Sequence, residues 1–255
     1  MKVHPREIYD LLLASSQTTA LVQEILIGLT WTFCRSQGIG LCMSPGQPTR
    51  TLPWSGTLVN KSIADLALWV RSWDSYQATV GMAAINAAIN PFSPLIEKAE
   101  PLSPKGSANL AVFDYFLPKI RGKKVVVIGR YPGLSKYEQE TQITVLERQP
   151  TTQDLPDTAC EYLLPEADWV FLTATSIANK TFPRLVELSQ NAQLVLMGPT
   201  TPWLPDLVDM GIDYLAGVAV TDPDALRQTI AEGGGTRIFD TGAQYRVLNL
   251  SNQSY

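Results

Sequence analysis

Val125-Val-Val-Ile-Gly-Arg-Tyr-Pro-Gly133 is an apolar run that breaks into small, charged and proline residues, and two later stretches repeat the pattern. They read Trp169-Val-Phe-Leu-Thr-Ala-Thr-Ser-Ile-Ala-Asn-Lys-Thr181 and Leu194-Val-Leu-Met-Gly-Pro-Thr-Thr-Pro202. Nearly continuous apolar strands separated by helices predict a parallel sheet covered on both faces. In an open sheet of that kind ligands bind in the crevice outside the carboxyl ends of the strands. The repeat therefore points to where a ligand sits before it says which ligand.

Working outward, strands are expected at 123–128, 142–147, 169–173, 194–197 and 214–220, with helices at 109–120, 180–190, 203–210 and 223–232. After Gly233-Gly-Gly235 a final short strand is expected at 236–240. Right-handed crossovers make residues 107–255 a Rossmann-like domain. The first half has a different grammar. An amphipathic helix is expected over 4–16, then strands over 24–35 and 38–44 joined at Ser36-Gln-Gly38. Ser62 is placed to cap a helix over 63–73, with Asp65 favouring its start through the macrodipole. A further helix over 76–90 carries a small face of Gly81, Ala83, Ala84, Ala87 and Ala88. Residues 1–92 thus read as an α+β unit. Pro94, Pro101 and Pro104 mark 93–106 as a stiff proline-rich linker.

Composition narrows the function classes. Of 255 residues only 17% are charged, against about 25% in ordinary globular proteins. A formal net charge of −4 is unsuited to a general nucleic-acid binder, which needs a basic face to displace counterions. No apolar run approaches the roughly 20 residues that span a bilayer, and the first residues lack the apolar stretch of a secretion signal. The chain reads as a cytoplasmic protein. Cys34, Cys42 and Cys160 are odd in number and scattered, which suits reduced thiols. No C-x-x-C or H-E-x-x-H spacing occurs and His4 is the single histidine, so no dedicated metal cage is expected.

The loops supply the candidate ligand residues. Gly129 is followed by Arg-Tyr-Pro-Gly rather than by a G-x-G-x-x-G fingerprint, although Glu147 closes the second strand where dinucleotide folds hold a ribose hydroxyl. Arg130 reads either as an anion clamp or as a solvated loop arginine. Thr175 offers a hydroxyl, while Asn179 and Lys180 stand at the start of an expected helix, where free amides favour an oxyanion. Plain helix capping is the rival reading there. Gly198, Thr200 and Thr201 form a restrained loop whose backbone can approach a ligand, or a stiff turn that starts the next helix. Asn86 and Asn90 share a helix face at i, i+4 spacing and either face the cleft or bond to backbone. No nucleophile or general base is assigned.

Three stretches carry a resemblance. Thr173-Ala-Thr-Ser-Ile-Ala-Asn-Lys-Thr-Phe-Pro-Arg-Leu185, Met197-Gly-Pro-Thr-Thr-Pro202 and Gly211-Ile-Asp-Tyr-Leu-Ala-Gly217 are similar to the domain family named for "putative heavy-metal chelation". Gly56-Thr-Leu-Val-Asn-Lys-Ser-Ile-Ala-Asp-Leu66 and Gly81-Met-Ala-Ala-Ile-Asn-Ala87 resemble its enolase-N-terminal-like companion domain. The resemblance implies an enolase-like α+β domain joined to a Rossmann-like α/β domain, with a site between them. The expected function is binding of a small anionic or heterocyclic ligand there, pterin-like or metal-chelating, with or without catalysis; its cofactor is unknown. The alternative is a non-catalytic carrier of metal or oxyanion, and a further one is a nicotinamide-dependent oxidoreductase. Metal is expected as a chelated species or on hard oxygen donors. No nucleic-acid or membrane partner is expected, and a homo-oligomer is left open.

Overall fold

Two sheets organise the chain in the computed structural model, which describes residues 4–251. After helix α1 (Glu7–Ser15), strands β1 (Glu24–Ile27), β2 (Trp31–Arg35) and β3 (Ile39–Met43) form an antiparallel sheet in that order. The single strand expected over 24–35 is thus a hairpin. Gly28 N donates to Trp31 O at 2.9 Å, and Glu24 pairs with Arg35. Apolar residues on both sides of a three-residue turn, with Leu29 itself apolar and exposed, hide the reversal.

Helix α2 (Ile63–Ala67) starts at the expected cap, where Ser62 Oγ accepts from Ala64 N at 3.1 Å and Asp65 N at 3.4 Å. Helix α3 (Ser75–Ile89) is buried along most of its length, and its small face lets β3 lie directly against it. A Cβ on Gly40 would sit 2.1 Å from Ala83 O, so only glycine permits that approach. Thr32, Cys34 and Cys42 are buried on the α3 side of the small sheet, while Trp31, Phe33 and Leu41 face the core of the second half.

The segment read as a linker carries helix α4 (Pro94–Lys98) and strand β4 (Glu100–Pro101), which joins the large sheet. Helix α5 (Ala111–Ile120) and strand β5 (Lys124–Ile128) follow, then β6 (Gln142–Glu147), β7 (Leu155–Pro156), α6 (Cys160–Leu163) and β8 (Trp169–Thr173). Short helices α7 (Thr175–Ala178) and α8 (Phe182–Leu188) lead to β9 (Gln193–Met197) and β10 (Tyr214–Val220). The helix expected over 180–190 is α8, which starts two residues later because Lys180 adopts φ 74°, outside the helical region. Residues 205–210 form a 3₁₀ turn that ends at left-handed Gly211.

Helix α9 (Pro223–Ala231) is followed by helix α10 (Ile238–Thr241), where a final strand was expected. The last strand is β11 (Ala243–Asn249), read over in the sequence, although Ala243, Tyr245 and Val247 alternate inward as a strand should. The large sheet runs β4-β11-β10-β9-β8-β5-β6-β7. It is parallel from β10 to β7 and antiparallel where β11 joins β10 and β4. Strand periodicity divides its core. Val125, Val127, Phe171, Val195 and Met197 pack with α5, whereas Val126, Val170, Leu172, Leu194 and Leu196 pack with α8. The fold is therefore mixed α/β, with helices on both faces of a largely parallel sheet. Among the described residues no helix is long and apolar enough to cross a membrane.

Candidate functional site

The two halves are fastened by side chains that the sequence offered as ligand groups. Asn86, fully buried on α3, donates Nδ2 to Leu41 O at 2.8 Å and to Thr200 O at 2.9 Å. One turn on, Asn90 donates to Thr201 O at 3.0 Å and accepts from Trp203 N at 2.9 Å. Thr200 Oγ1 accepts from Met43 N at 3.0 Å, and Ser93 Oγ donates to Trp203 O at 2.6 Å. Asn86 Nδ2, the Thr200 hydroxyl and the carbonyls of Thr200 and Thr201 thus weld α3 and β3 to the loop after β9, while Asn86 Oδ1 and Thr201 Oγ1 are buried without a hydrogen-bond partner among the described residues. A second seam joins the hairpin to α9, through Arg35–Asp224 at 2.8 Å, Arg227–Glu24 at 2.7 Å and Trp31 Nε1 to Gly235 O at 2.9 Å.

Lys180 also lies in the seam. Its Nζ donates to Val70 O at 2.5 Å and to Ala178 O at 3.0 Å, over the ring of Tyr9 at 5.3 Å. Burial pushes its pKa down to about 8. Two carbonyls already hold the ammonium, so it is not presented to an oxyanion as the helix-start reading expected. Asn179 caps its own turn, with Oδ1 accepting from Thr181 N at 3.1 Å and Thr181 Oγ1 at 2.7 Å. Arg130 is paired with Asp154, whose carboxyl it holds down to about 2, and it also donates to Gln149 O at 3.2 Å. Glu147 accepts from the backbone amides of Arg130, Arg148 and Gln149, so this strand-end carboxylate closes its own loop.

What remains at the carboxyl edge lies on either side of β5. The chain leaves β5 for β6 on one side and returns at β8 on the other, and such a switch point opens a crevice between the loops after β5 and β8. Its walls are Gly129 (φ 93°), Gly198 (φ 105°), Thr173 and Thr175, the two hydroxyls 3.2 Å apart. Thr175 Oγ1 also reaches Met43 Sδ at 3.7 Å. Tyr131 reaches into this space, which sequence reading missed because an aromatic loop residue carries no motif. Its hydroxyl lies 3.6 Å from where a Cβ on Gly198 would be, and it shares a hydrogen bond with Thr173.

A cavity of about 470 Å³ opens beside the strand ends of β9 and β10, under the small sheet. Arg35, Gln37, Ile39 and Leu41 wall it from the first half, and Pro199, Val218 and Val220 from the second. Asn90, which the sequence offered as facing a cleft, also lines it, whereas these seven residues were not singled out, since a cavity between halves leaves no local signal. Soft-metal chemistry does not fit the donors. Among the described residues no group of three or more His, Cys, Asp and Glu side chains comes together as a metal site. Cys34 and Cys42 are fully buried, and burial raises both thiols to about 12, away from the thiolate a heavy metal requires.

The family model DUF364, described as "Putative heavy-metal chelation", matches residues 111–249. A second model of the same description, DUF4213, matches residues 9–89. A crystal structure of a DUF364-family protein of unknown function from Desulfitobacterium hafniense is 32% identical. It superposes with a TM-score of 0.83 over 96% of this chain and 98% of that one. A Pyrococcus horikoshii protein of the same family and also of unknown function shares the fold at 20% identity, with a TM-score of 0.78 over 96% and 99%. An uncharacterized protein of Methanocaldococcus jannaschii is 30% identical over 173 residues, 65% of this chain. That match spans 63% of the relative's length.

Proposed function

The chain belongs to the DUF364 family, and we propose that it holds a small anionic or heterocyclic molecule in the cavity between its two halves. The single observation that carries this reading is the 470 Å³ space walled by both halves beside the strand ends of the large sheet. That volume falls within the roughly 300–1,000 Å³ of small-molecule sites. Its lining is mostly apolar, with Arg35 as the cationic group and Gln37 as an adaptable amide. Among the described residues Arg35 pairs with Asp224 alone and its Nε has no partner, so its planar fork retains a donor for a carboxylate or ring carbonyl. The hydrogen-bonded seams on both sides of the cavity support a preformed site, with no closure of one half on the other.

On this reading residues 1–92 act as an enolase-N-terminal-like unit, 93–106 as the connection and 107–255 as a Rossmann-like unit of a cytoplasmic protein. The family description favours a second reading, metal handling, in which the metal arrives with its own chelator because the chain's thiols are buried. A nicotinamide cofactor has less support, since Glu147 is held by its own loop amides. Native mass spectrometry of freshly purified protein tests the proposal. A retained organic molecule that Arg35→Ala loses, with the circular dichroism spectrum unchanged, is the expected result. A variant that keeps it as tightly as the parent chain rules the cavity out.

A further inference from the structure

The crevice beside β5 is filled by the chain itself. Tyr131 enters it edge-on to Phe113, with ring centroids 5.5 Å apart, and its hydroxyl stands between Thr173 and Gly198. The residue is carried on a five-residue strap, 129–133, that begins and ends on glycines in the left-handed region, φ 93° and 92°. Such glycines let a loop swing where side-chain-bearing residues would be strained. The strap is fastened from outside. Arg130 pairs with Asp154, and Pro132 O accepts from Asn109 Nδ2 at 3.1 Å. Asp154 also accepts from Thr151 N at 3.0 Å and Thr151 Oγ1 at 2.8 Å, so a single carboxylate ties the strap to the loop after β6.

We propose that this crevice is a second binding site, whose ligand is a planar aromatic or heteroaromatic ring with a hydrogen-bonding edge that takes the place of Tyr131. The side chain now seated there defines the shape of what fits. A flat ring lies against the Phe113 edge, its polar atom meets the Thr173–Thr175 hydroxyl pair, and the bare Gly198 backbone leaves room for it. Ligand entry requires the strap to open on Gly129 and Gly133, so apparent affinity falls with the fraction of time that it is closed. The site is distinct from the Arg35 cavity, which its neighbour Pro199 borders.

The probe is p-cresol, the tyrosine side chain as a free molecule, followed by thermal shift and by ligand-observed nuclear magnetic resonance. Tyr131→Ala vacates the crevice and leaves a ring-sized space with the Phe113 edge on one side and the Thr173–Thr175 hydroxyls on the other. The variant is expected to gain dose-dependent stabilisation at p-cresol concentrations where the parent chain responds only weakly. Asp154→Ala unfastens the strap without touching the crevice and is expected to bind p-cresol about tenfold more tightly than the parent, as its open fraction rises. A folded Tyr131→Ala protein that gains nothing from p-cresol overturns the site. Binding by Tyr131→Ala but no gain for Asp154→Ala overturns the strap as its gate. Should Tyr131→Ala not fold, the Asp154→Ala comparison decides alone.

Discussion

The Asn86 side-chain amide donates to Leu41 O and Thr200 O at once, at 2.8 and 2.9 Å, and so joins α3, β3 and the loop after β9 through one nitrogen. Replacing Asn86 by Leu strands both carbonyls in a water-free seam, and each unsatisfied buried group costs about 1–3 kcal/mol. The variant is expected to lose about 2–4 kcal/mol in urea unfolding. Asn86→Asp presents a buried charge to two carbonyls and is expected to be worse still. A loss within experimental error for both would show that the seam is not held here.

Lys180 makes stability depend on alkaline pH. Its folded pKa is about 8 against an ordinary 10.5, because burial disfavours the charged form. Between these values the unfolded chain binds more protons than the native one, so unfolding free energy rises as pH climbs from about 8 toward 10.5. Below pH 8 both states are protonated and the full cost of burying the charge is paid. Tyr9 and Cys42 also face this ammonium, and burial raises both to about 12, so they stay protonated through the window. Lys180→Met is expected to flatten the rise, read as the difference between the two proteins' urea midpoints across pH 7.5–10. Identical slopes would place the ammonium in water.

Gly40 makes a sharper steric test. An added Cβ would lie 2.1 Å from Ala83 O and Ala87 N, both backbone atoms of α3, so no side chain can yield. Overpacking of cores costs about 1–3 kcal/mol and occasionally more. Gly40→Ala is expected at or beyond the top of that range, seen as low soluble yield and a lowered thermal midpoint. Gly46→Ala serves as the control, since nothing stands within 4 Å of a Cβ there, although its φ of 65° adds a smaller backbone cost.

Much of the scaffold was legible because strand and helix periodicities act locally. The runs at Val125, Trp169 and Leu194 form three adjacent parallel strands, and Ser62 caps as its hydroxyl and position require. What escaped depends on distant partners. Gly28 reverses the chain inside an apolar run, and β11 is drawn into the sheet by pairing with β10. The site residues show the same limit. Asn86 and Thr200 have the right chemistry for a ligand, but the fold turns the Asn86 Nδ2 and the Thr200 hydroxyl toward its own backbone, while Thr201 enters the seam through its carbonyl. Tyr131 and Arg35 matter through what they face, which no local pattern reports.

The thiols test the metal reading directly. Cys34 and Cys42 have no exposed surface, and desolvation lifts both to about 12, so neither is a thiolate at neutral pH. Cys160 is partly exposed on α6, and its thiol is also raised, by burial and then by Glu161 and Asp157. Thiol alkylation follows thiolate fraction and access together. An Ellman titration of native protein at pH 8 is therefore expected to register Cys160 alone, slowly, and all three thiols only in denaturant. Cadmium added beforehand is expected to leave the native rate unchanged, because among the described residues no group of three or more His, Cys, Asp and Glu side chains gathers around Cys160 to hold a metal. Fast reaction of two or more native thiols, or protection by cadmium, would mean that the seam between the halves opens in solution and that the chain itself chelates the metal.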